Sequence, residues 1–579
     1  MSTAMKFEFL PNEIFIDCFE YLNAPDLFRA FDGLNYRFQK LITNIPLGLN
    51  FQHINKSMFD QFCDRMIANP GIKSKIVSLK LSNDNDTCGE INSFLSLFSL
   101  NEFPNLQSLT LIEIERDEME RVALMLSSLS NLHYFHCHSF VYIIDTIVTV
   151  LPTLKEVRKL TLRDFFTRPL STLESTSIKY LTMYLCDEDR INILFKFAPN
   201  LKYFNIELLR KRSDAVDQNY KGIYTPANSL IQFHLNAVSG MNFDDIERLF
   251  KQTPKLKILA LSIDCPNIET INTDRWQNLI LSVLPHLKVF KFDFQVNLSG
   301  EEINGIHNKL EQFQNDFWIK QHRWYTAYEI IGDKVYIFTI PYFKKKFTLP
   351  YGTQLFYNNN TSIDKSKLFD NVKELTLCLS PILKYSDITF SNVESLQLTT
   401  TTSGLNAKDI RSFDVTDFIE YLKKSINLSK IKHLQIKRMN GMQIELILLE
   451  IFEKSPYLSS MSIYNEDLIK ILTNADLCGH FNKMITKLEI HGNTFYSEIV
   501  KDICQKFSNL EQLNWDISKW NLIPILFNQL PKLSNFSSVT VLSFNKNNRI
   551  QLKEYLSKLN GNFIFYGDEQ GLNTWINRH

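Results

Sequence analysis

The stretch Phe103-Pro104-Asn105-Leu106-Gln107-Ser108-Leu109-Thr110-Leu111 carries an apolar-x-x-apolar-x-apolar signature, and the chain repeats it. Clear copies include APNLKYFNI, TPKLKILAL, LPHLKVFKF, SPYLSSMSI and FSNLEQLNW; less tidy ones include KIVSLKL, EVRKLTL, SIKYLTM, NVESLQL and MITKLEI. Their first apolar residues are Ile76, Leu106, Leu132, Val157, Ile178, Leu201, Leu230, Leu256 and Leu287. After a gap come Val372, Val393, Ile431, Leu458, Ile485 and Leu510, with a weaker copy at Leu533. Outside the gap the steps run mostly from 21 to 31 residues, near the ~20–29 of a strand-plus-helix repeat. Asp117–Leu129 and Asp244–Gln252, between units, carry the apolar spacing of helices.

The residues between the apolar positions test this reading independently. In a strand, offsets 2 and 4 point away from the face that offsets 3 and 5 occupy. Across fifteen clear units those thirty positions hold three aliphatic residues, Ile258, Ala260 and Val289, and three tyrosines. A chain that is 44% hydrophobic would place about thirteen there by chance. Each strand therefore buries one row against a helix and shows a polar row outward. That predicts an α/β fold in which stacked strands form a parallel sheet with one open face. Strands covered on both faces would instead read as continuous apolar runs. The asparagine that follows the strand in regular leucine-rich repeats is replaced, by Ile114 after Leu111 and by Leu209 after Ile206.

Between Leu287 and Val372 the pattern changes. Glu301–Phe313 reads as a helix, and the arms of YEIIGDKVYIFTIPY around Gly332-Asp333 read as a β-hairpin. Its aromatics, Trp324, Tyr336 and Tyr342, are either packing residues or a ligand platform.

Residues 7–42, FEFLPNEIFIDCFEYLNAPDLFRAFDGLNYRFQKLI, fit three short amphipathic helices. Ile14, Cys18, Phe19 and Leu22 make one apolar face. Asn23 is placed to cap a second helix through Leu27, Phe28 and Phe31, and Leu34, Phe38, Leu41 and Ile42 line a third. A piece this small gains little stability alone, so it is expected to dock on the array or on a partner.

The run Leu10-Pro11-x-Glu13-Ile14, then Phe19-x-x-Leu22-x-x-x-Asp26-Leu27, then Leu34-Asn35-Tyr36-Arg37-Phe38-x-x-Leu41 resembles the F-box over some 35–40 residues. Phe38 stands where many F-boxes carry tryptophan. Neither Trp-Asp nor Kelch repeats follow, so the whole chain is similar to F-box proteins with leucine-rich repeats. The resemblance implies an N-terminal three-helix F-box followed by an irregular leucine-rich-repeat horseshoe or solenoid with a central β-hairpin insertion. The corresponding boundaries are 1–50 for the F-box, 51–299 for the first part of the array, 300–365 for the insertion and 366–579 for the second part.

It further implies a substrate receptor of an SCF-type cullin–RING ubiquitin ligase, with the F-box on a Skp-family adaptor and the array on a target protein. Leu10, Pro11, Ile14, Leu27 and Phe38 fall at or beside the adaptor contact by motif match. On the array, the outward row is the expected capture surface, with Tyr134, His136, Tyr180, Tyr184, Tyr203 and His234 as its candidate residues. Tyrosine and histidine offer broad amphipathic contact area. An alternative is an interaction scaffold independent of ubiquitination.

The remaining composition narrows the classes. Sixty-three basic and sixty-three acidic residues balance, which gives no global pull toward nucleic acid or anionic membrane. Nine cysteines show no C-x-x-C pair, the N-terminus shows no secretory signal, and no apolar run is long enough to span a bilayer. A cytoplasmic or nuclear location is the expectation. There is no G-x-S-x-G, phosphate-binding G-x-x-x-x-G-K-[ST] or H-E-x-x-H, so neither catalysis nor a cofactor is expected. His133, His136, Cys137 and His138 crowd one strand, but alternation splits them between faces, whereas a metal site needs them to converge.

Overall fold

The computed structural model describes residues 7–84, 86–139, 150–151, 154–163, 175–187, 190–210, 225–237, 241–265, 267–298, 305–331, 333–349, 356–357, 364–379, 388–400, 414–437, 439, 443–494, 497–517, 520–538, 546–558, 563–567 and 572–576. The fold is α/β, with helices flanking parallel-dominated sheets, and it resembles a leucine-rich-repeat solenoid. The chain divides into two compact units: Met1–Ile231 with Asn560–Tyr566 and Trp575–His579, and Gln232–Leu559 with Gly567–Thr574.

The first unit holds a parallel ladder of β1 (Leu47–Asn50), β2 (Ile76–Ser82), β3 (Ser108–Ile112), β4 (Tyr134–His138), β5 (Lys159–Leu162), β6 (Tyr180–Met183) and β8 (Tyr203–Arg210), with a two-residue β7 (Cys186–Asp187) beside β8. Register puts like on like. Leu79, Leu109, Phe135, Leu160, Leu181 and Phe204 align across the strands, as do Leu81, Leu111, Cys137, Leu162, Met183 and Ile206. All twelve are buried. Each such side chain contributes roughly 1.5–3 kcal/mol by leaving water. Every first apolar residue of the sixteen units, Leu533 included, is buried too.

β1 escapes the sequence signature for a local reason. A bulge between Leu47 and Gly48 sets Leu47 opposite Ile76 and Leu49 opposite Leu79. The apolar spacing there is one residue short of the repeat, and Pro46 sits where a first apolar residue would stand.

In the second unit β9 (Gln232–Ala237), β10 (Ile258–Cys265) and β11 (Val289–Asn297) run parallel. Between β9 and β10, the helix Phe243–Phe250 starts on an Asn242 cap, whose side chain accepts from the Asp245 amide while Asp245 returns a bond to Asn242. This capping box accounts for Asp245, while Asp244 pairs with Arg275 at 2.6 Å. The hairpin of β12 (Tyr325–Ile331) and β13 (Lys334–Ile340) then adds antiparallel to β11, with β15 (Phe356–Tyr357) beyond. Gly332 and residues 301–304 lie outside the described residues; the described part of the expected helix is Ile306–Glu311, continued by a 3-10 turn Gln312–Gln314, and a further helical turn, Phe317–Gln321, follows.

The insertion's aromatics split. Trp324 and Tyr342 are buried, the first stacked on His322 at 4.1 Å and the second packed among Phe338, Phe347 and Phe369. Those two are packing residues rather than a platform; Tyr336 is half-buried.

A second parallel ladder follows: β14 (Lys346–Leu349), β16 (Glu374–Leu379), β17 (Ser395–Thr400), β18 (His433–Lys437), β19 (Ser460–Tyr464), β20 (Lys487–Thr494), β21 (Gln512–Ile517) and β22 (Asn535–Ser538). It begins inside the stretch 300–365. β14 lacks the full signature because Lys344 occupies its first apolar position; that ammonium pairs with Asp293 at 2.5 Å.

The N-terminal segment forms α1 (Asn12–Phe19), α2 (Ala24–Phe31) and α3 (Tyr36–Ile42). Phe15, Phe19, Phe31 and Phe38 interlock, with Phe15 edge-on to Phe38 at 4.9 Å. The helices dock on the first repeat: Phe28 meets Phe62 of α4 (Lys56–Ala68) edge-on at 5.6 Å, and Arg65 pairs with Asp32. Three expectations change here. Asn23 sits at the N-cap position of α2, but its side chain bonds the Asn50 backbone instead, tying the head to β1. Leu34 is exposed, preceding α3 rather than lining it. On α1 the inward residues are Phe15 and Phe19, while Ile14, Cys18 and the following Leu22 form a second, outward stripe.

Candidate functional site

Two surfaces of the first unit stand out, and the head is one. Among the described residues sixteen large hydrophobic side chains are exposed, and six of them, Phe9, Ile14, Tyr21, Leu22, Leu34 and Tyr36, fall within residues 9–36. A folded domain rarely leaves so many apolar groups in water on so short a segment unless something covers them. Of the motif residues, Pro11 and Ile14 (44% exposed) are on the surface and Leu10 is half-buried. Leu27 and Phe38, at 1% and 2% exposure, are core. As the head is built, those two act by holding the helices that present the others.

Arg37 does the presenting, and sequence reasoning passed it over. Its guanidinium donates to Asn12 Oδ1 at 2.7 Å, to the Glu8 carbonyl at 2.6 Å and to the Leu10 carbonyl at 2.5 Å, and it lies over the Phe15 ring. A planar fork with several donors suits such a clamp, which fixes the Glu8–Asn12 segment against α3. An arginine one residue before a buried aromatic was the only available sign.

The other surface is the outward row of the ladder. Register aligns Ser108, Tyr134, Lys159, Tyr180 and Tyr203 in one line, and Thr110, His136, Thr161, Thr182 and Asn205 in the next. Tyr180 and Tyr203 rings lie 6.4 Å apart, and His136 faces Tyr184 at 6.1 Å. Thus five of the six candidate capture residues meet on one face. His234 lies on β9 of the second unit, where Gln232 contacts its Nε2 at 2.8 Å. Lys159 places its ammonium 4.7 Å from the Tyr134 ring centroid, a cation–π geometry.

Electrostatics differ along the face. Burial, His138 and the charges of Lys80 and Lys159 push His136 down to about 4, so its imidazole is neutral at physiological pH. Burial and the Glu207 carboxylate raise the Tyr184 and Tyr203 hydroxyls. His138 contacts Glu113 at 2.8 Å.

Cys137 is buried beneath the sheet while His136 and His138 stand on its outer face, and among the described residues no group of three or more metal-ligating side chains converges. The second ladder's outer face brings Ser462, His491 and Glu489 together. Both partners address the same imidazole nitrogen, Ser462 Oγ at 2.7 Å and Glu489 at 3.8 Å from Nε2, and Ser462 is buried. A nucleophile relay needs the hydroxyl and the carboxylate on opposite nitrogens. Among the described residues no helix is long and apolar enough to cross a membrane.

No family model and no curated protein matches the chain. Among solved structures, the crystal structure of a TLR13–ssRNA13 complex matches with a TM-score of 0.26 and 12% identity, covering 78% of this chain and 56% of that one. The chain thus spans little more than half the length of that protein. The repeat character rests on the strand ladders.

Proposed function

We propose that the chain is the substrate-recognition subunit of an SCF-type cullin–RING ubiquitin ligase. Its helical head would bind a Skp-family adaptor, and its repeat array would hold a target protein. The observation that carries this reading is the concentration of exposed apolar side chains on a three-helix head whose sequence resembles the F-box. The chain itself would supply position rather than chemistry, raising the target's effective concentration beside the charged enzyme. No catalytic residue, cofactor or metal enters this account, nor does nucleic acid or membrane. The site of action would be the cytoplasm or nucleus.

The test is a titration of the full-length chain against purified Skp-family adaptor. Ile14→Asp and Leu34→Asp alter exposed residues, so they leave the fold intact and weaken binding by roughly 2 kcal/mol or more each. Phe38→Ala removes a core aromatic and costs the head about 3–5 kcal/mol of stability, losing binding through unfolding of the head. A well-folded wild-type chain that fails to bind the adaptor rules the reading out. An interaction scaffold independent of ubiquitination would then be the better account.

A further inference from the structure

The helix α4 is gripped at its two ends by different parts of the chain. Its later turns hold the head. The Phe62 ring meets Phe28 edge-on at 5.6 Å, and Arg65 pairs with Asp32 while lying over the Phe28 ring. Arg29 of α2 also donates to the Met58 sulfur at 3.5 Å. Its first turn meets residues from late in the sequence that return to the first unit. Trp575, 1% exposed, places its ring 5.2 Å from Phe59. The buried Lys56 ammonium, paired with Asp60, lies 5.3 Å from the Phe59 ring and 5.4 Å from that of Trp575.

Gly89 marks a second point of return. It opens the helix Glu90–Leu97 at φ +72°, and a Cβ there would lie 2.7 Å from Ile564 Cγ2. Both the backbone conformation and the close approach call for glycine. Between the two ends of α4 the core is aromatic: Phe59 meets Phe51 at 4.8 Å, Phe51 meets Phe62 at 6.1 Å, and Phe62 meets Phe28. Each ring from Trp575 to α2 therefore rests on the next. Close-packed side chains pass a displacement on, because there is little slack to absorb it. Three short helices gain little stability alone, so the order of the head depends on what it docks against.

We infer that Ile564 and Trp575 form a clasp that, through α4, holds the head in the pose presenting Ile14, Leu22 and Leu34. Adaptor affinity then depends on residues that never touch the adaptor. That consequence rests on the receptor reading above; the coupling of Trp575 to the head does not. With the clasp open, the head is competent for only part of the time, and apparent affinity falls by that fraction. Whatever lifts Trp575 from Phe59 releases the head from a distance.

Hydrogen–deuterium exchange on the full-length chain reads the coupling. Trp575→Ala should raise exchange across α2 at least about fivefold and leave the helix Phe243–Phe250 of the second unit unchanged. Trp575→Phe should restore most of the protection. Leu434→Ala, a fully buried change in the second unit, controls for general loss of stability and should leave α2 as in wild type. If Trp575→Ala fails to fold, Ile564→Ala at a half-buried position carries the test, with a smaller rise. Unchanged exchange at α2 in a folded clasp variant overturns the inference, as does equal loosening by Leu434→Ala. Titrated with the Skp-family adaptor, Trp575→Ala should bind at least about threefold more weakly than wild type. Adaptor should in turn slow exchange in the segment carrying Trp575. Equal affinity for the two chains overturns the device as well. A wild-type chain that binds no adaptor removes the ligase reading, and the exchange result then decides the clasp alone.

Discussion

The first unit's ladder and the second ladder of the other unit bury almost the same rows and display different ones. Inside, both stack leucine, isoleucine, methionine and aromatic side chains in register. Outside, the first shows Tyr134, His136, Tyr180, Tyr184 and Tyr203 in ring contacts, whereas the second shows charged and amide side chains joined by ion pairs and hydrogen bonds. Glu394 accepts from Lys373 and Lys432 at 2.7 Å each, Gln435 donates to Ser462, and Asn514 to Glu489. The inner row specifies the repeat and tolerates any well-packed apolar residue. The outer row is free of that duty, so its chemistry can diverge toward aromatic contacts in one place and toward ion pairs in another.

The largest effect expected from this comparison is shared by both regions. Leu109→Ala and Leu434→Ala each empty a fully buried position at the same offset of the repeat, and each should cost about 2–5 kcal/mol in urea unfolding. A loss confined to one ladder would break the equivalence of the inner rows.

A smaller effect separates buried from exposed carboxylates. Glu329 on β12 is 3% exposed with an unpartnered Oε2, and burial together with Asp293 raises it to about 8. Its stabilising contribution is complete below the unfolded value near 4.5 and is lost as pH rises toward 8. Glu329→Gln should therefore flatten that slope and leave the chain more stable at pH 8.5 by roughly 2–4 kcal/mol. Glu394 runs the other way: bonds from Lys373 and Lys432 hold it at about 2, so its contribution is present above 4.5 and fades as pH falls toward 2. It is open to solvent, and Glu394→Gln should change stability at pH 7 by within about 0.5 kcal/mol. Melting curves from pH 2 to 9 read both.

Alternation made the inner and outer rows legible from sequence, because period two needs no tertiary information. β1 and β14 were hidden by a bulge at Leu47 and by Lys344 in an apolar slot, both events that only pairing reveals. Asn23 was legible as a cap by position, yet a strand 27 residues away offered its side chain a better partner. For the head, the helices could be read from Leu10 to Ile42, but the division of α1 into an inward and an outward apolar stripe could not, since both stripes are equally hydrophobic. Tyr180, Tyr184 and Tyr203 could be assigned to the open face residue by residue. That they flank the row of Thr110, Thr161 and Thr182 became visible only with the register.

The most direct test of the receptor account is reconstitution of the full-length chain with the Skp-family adaptor and a cullin, followed by analytical ultracentrifugation. The account predicts one species containing all three, abolished by Ile14→Asp. A chain that binds adaptor while excluding cullin would contradict it.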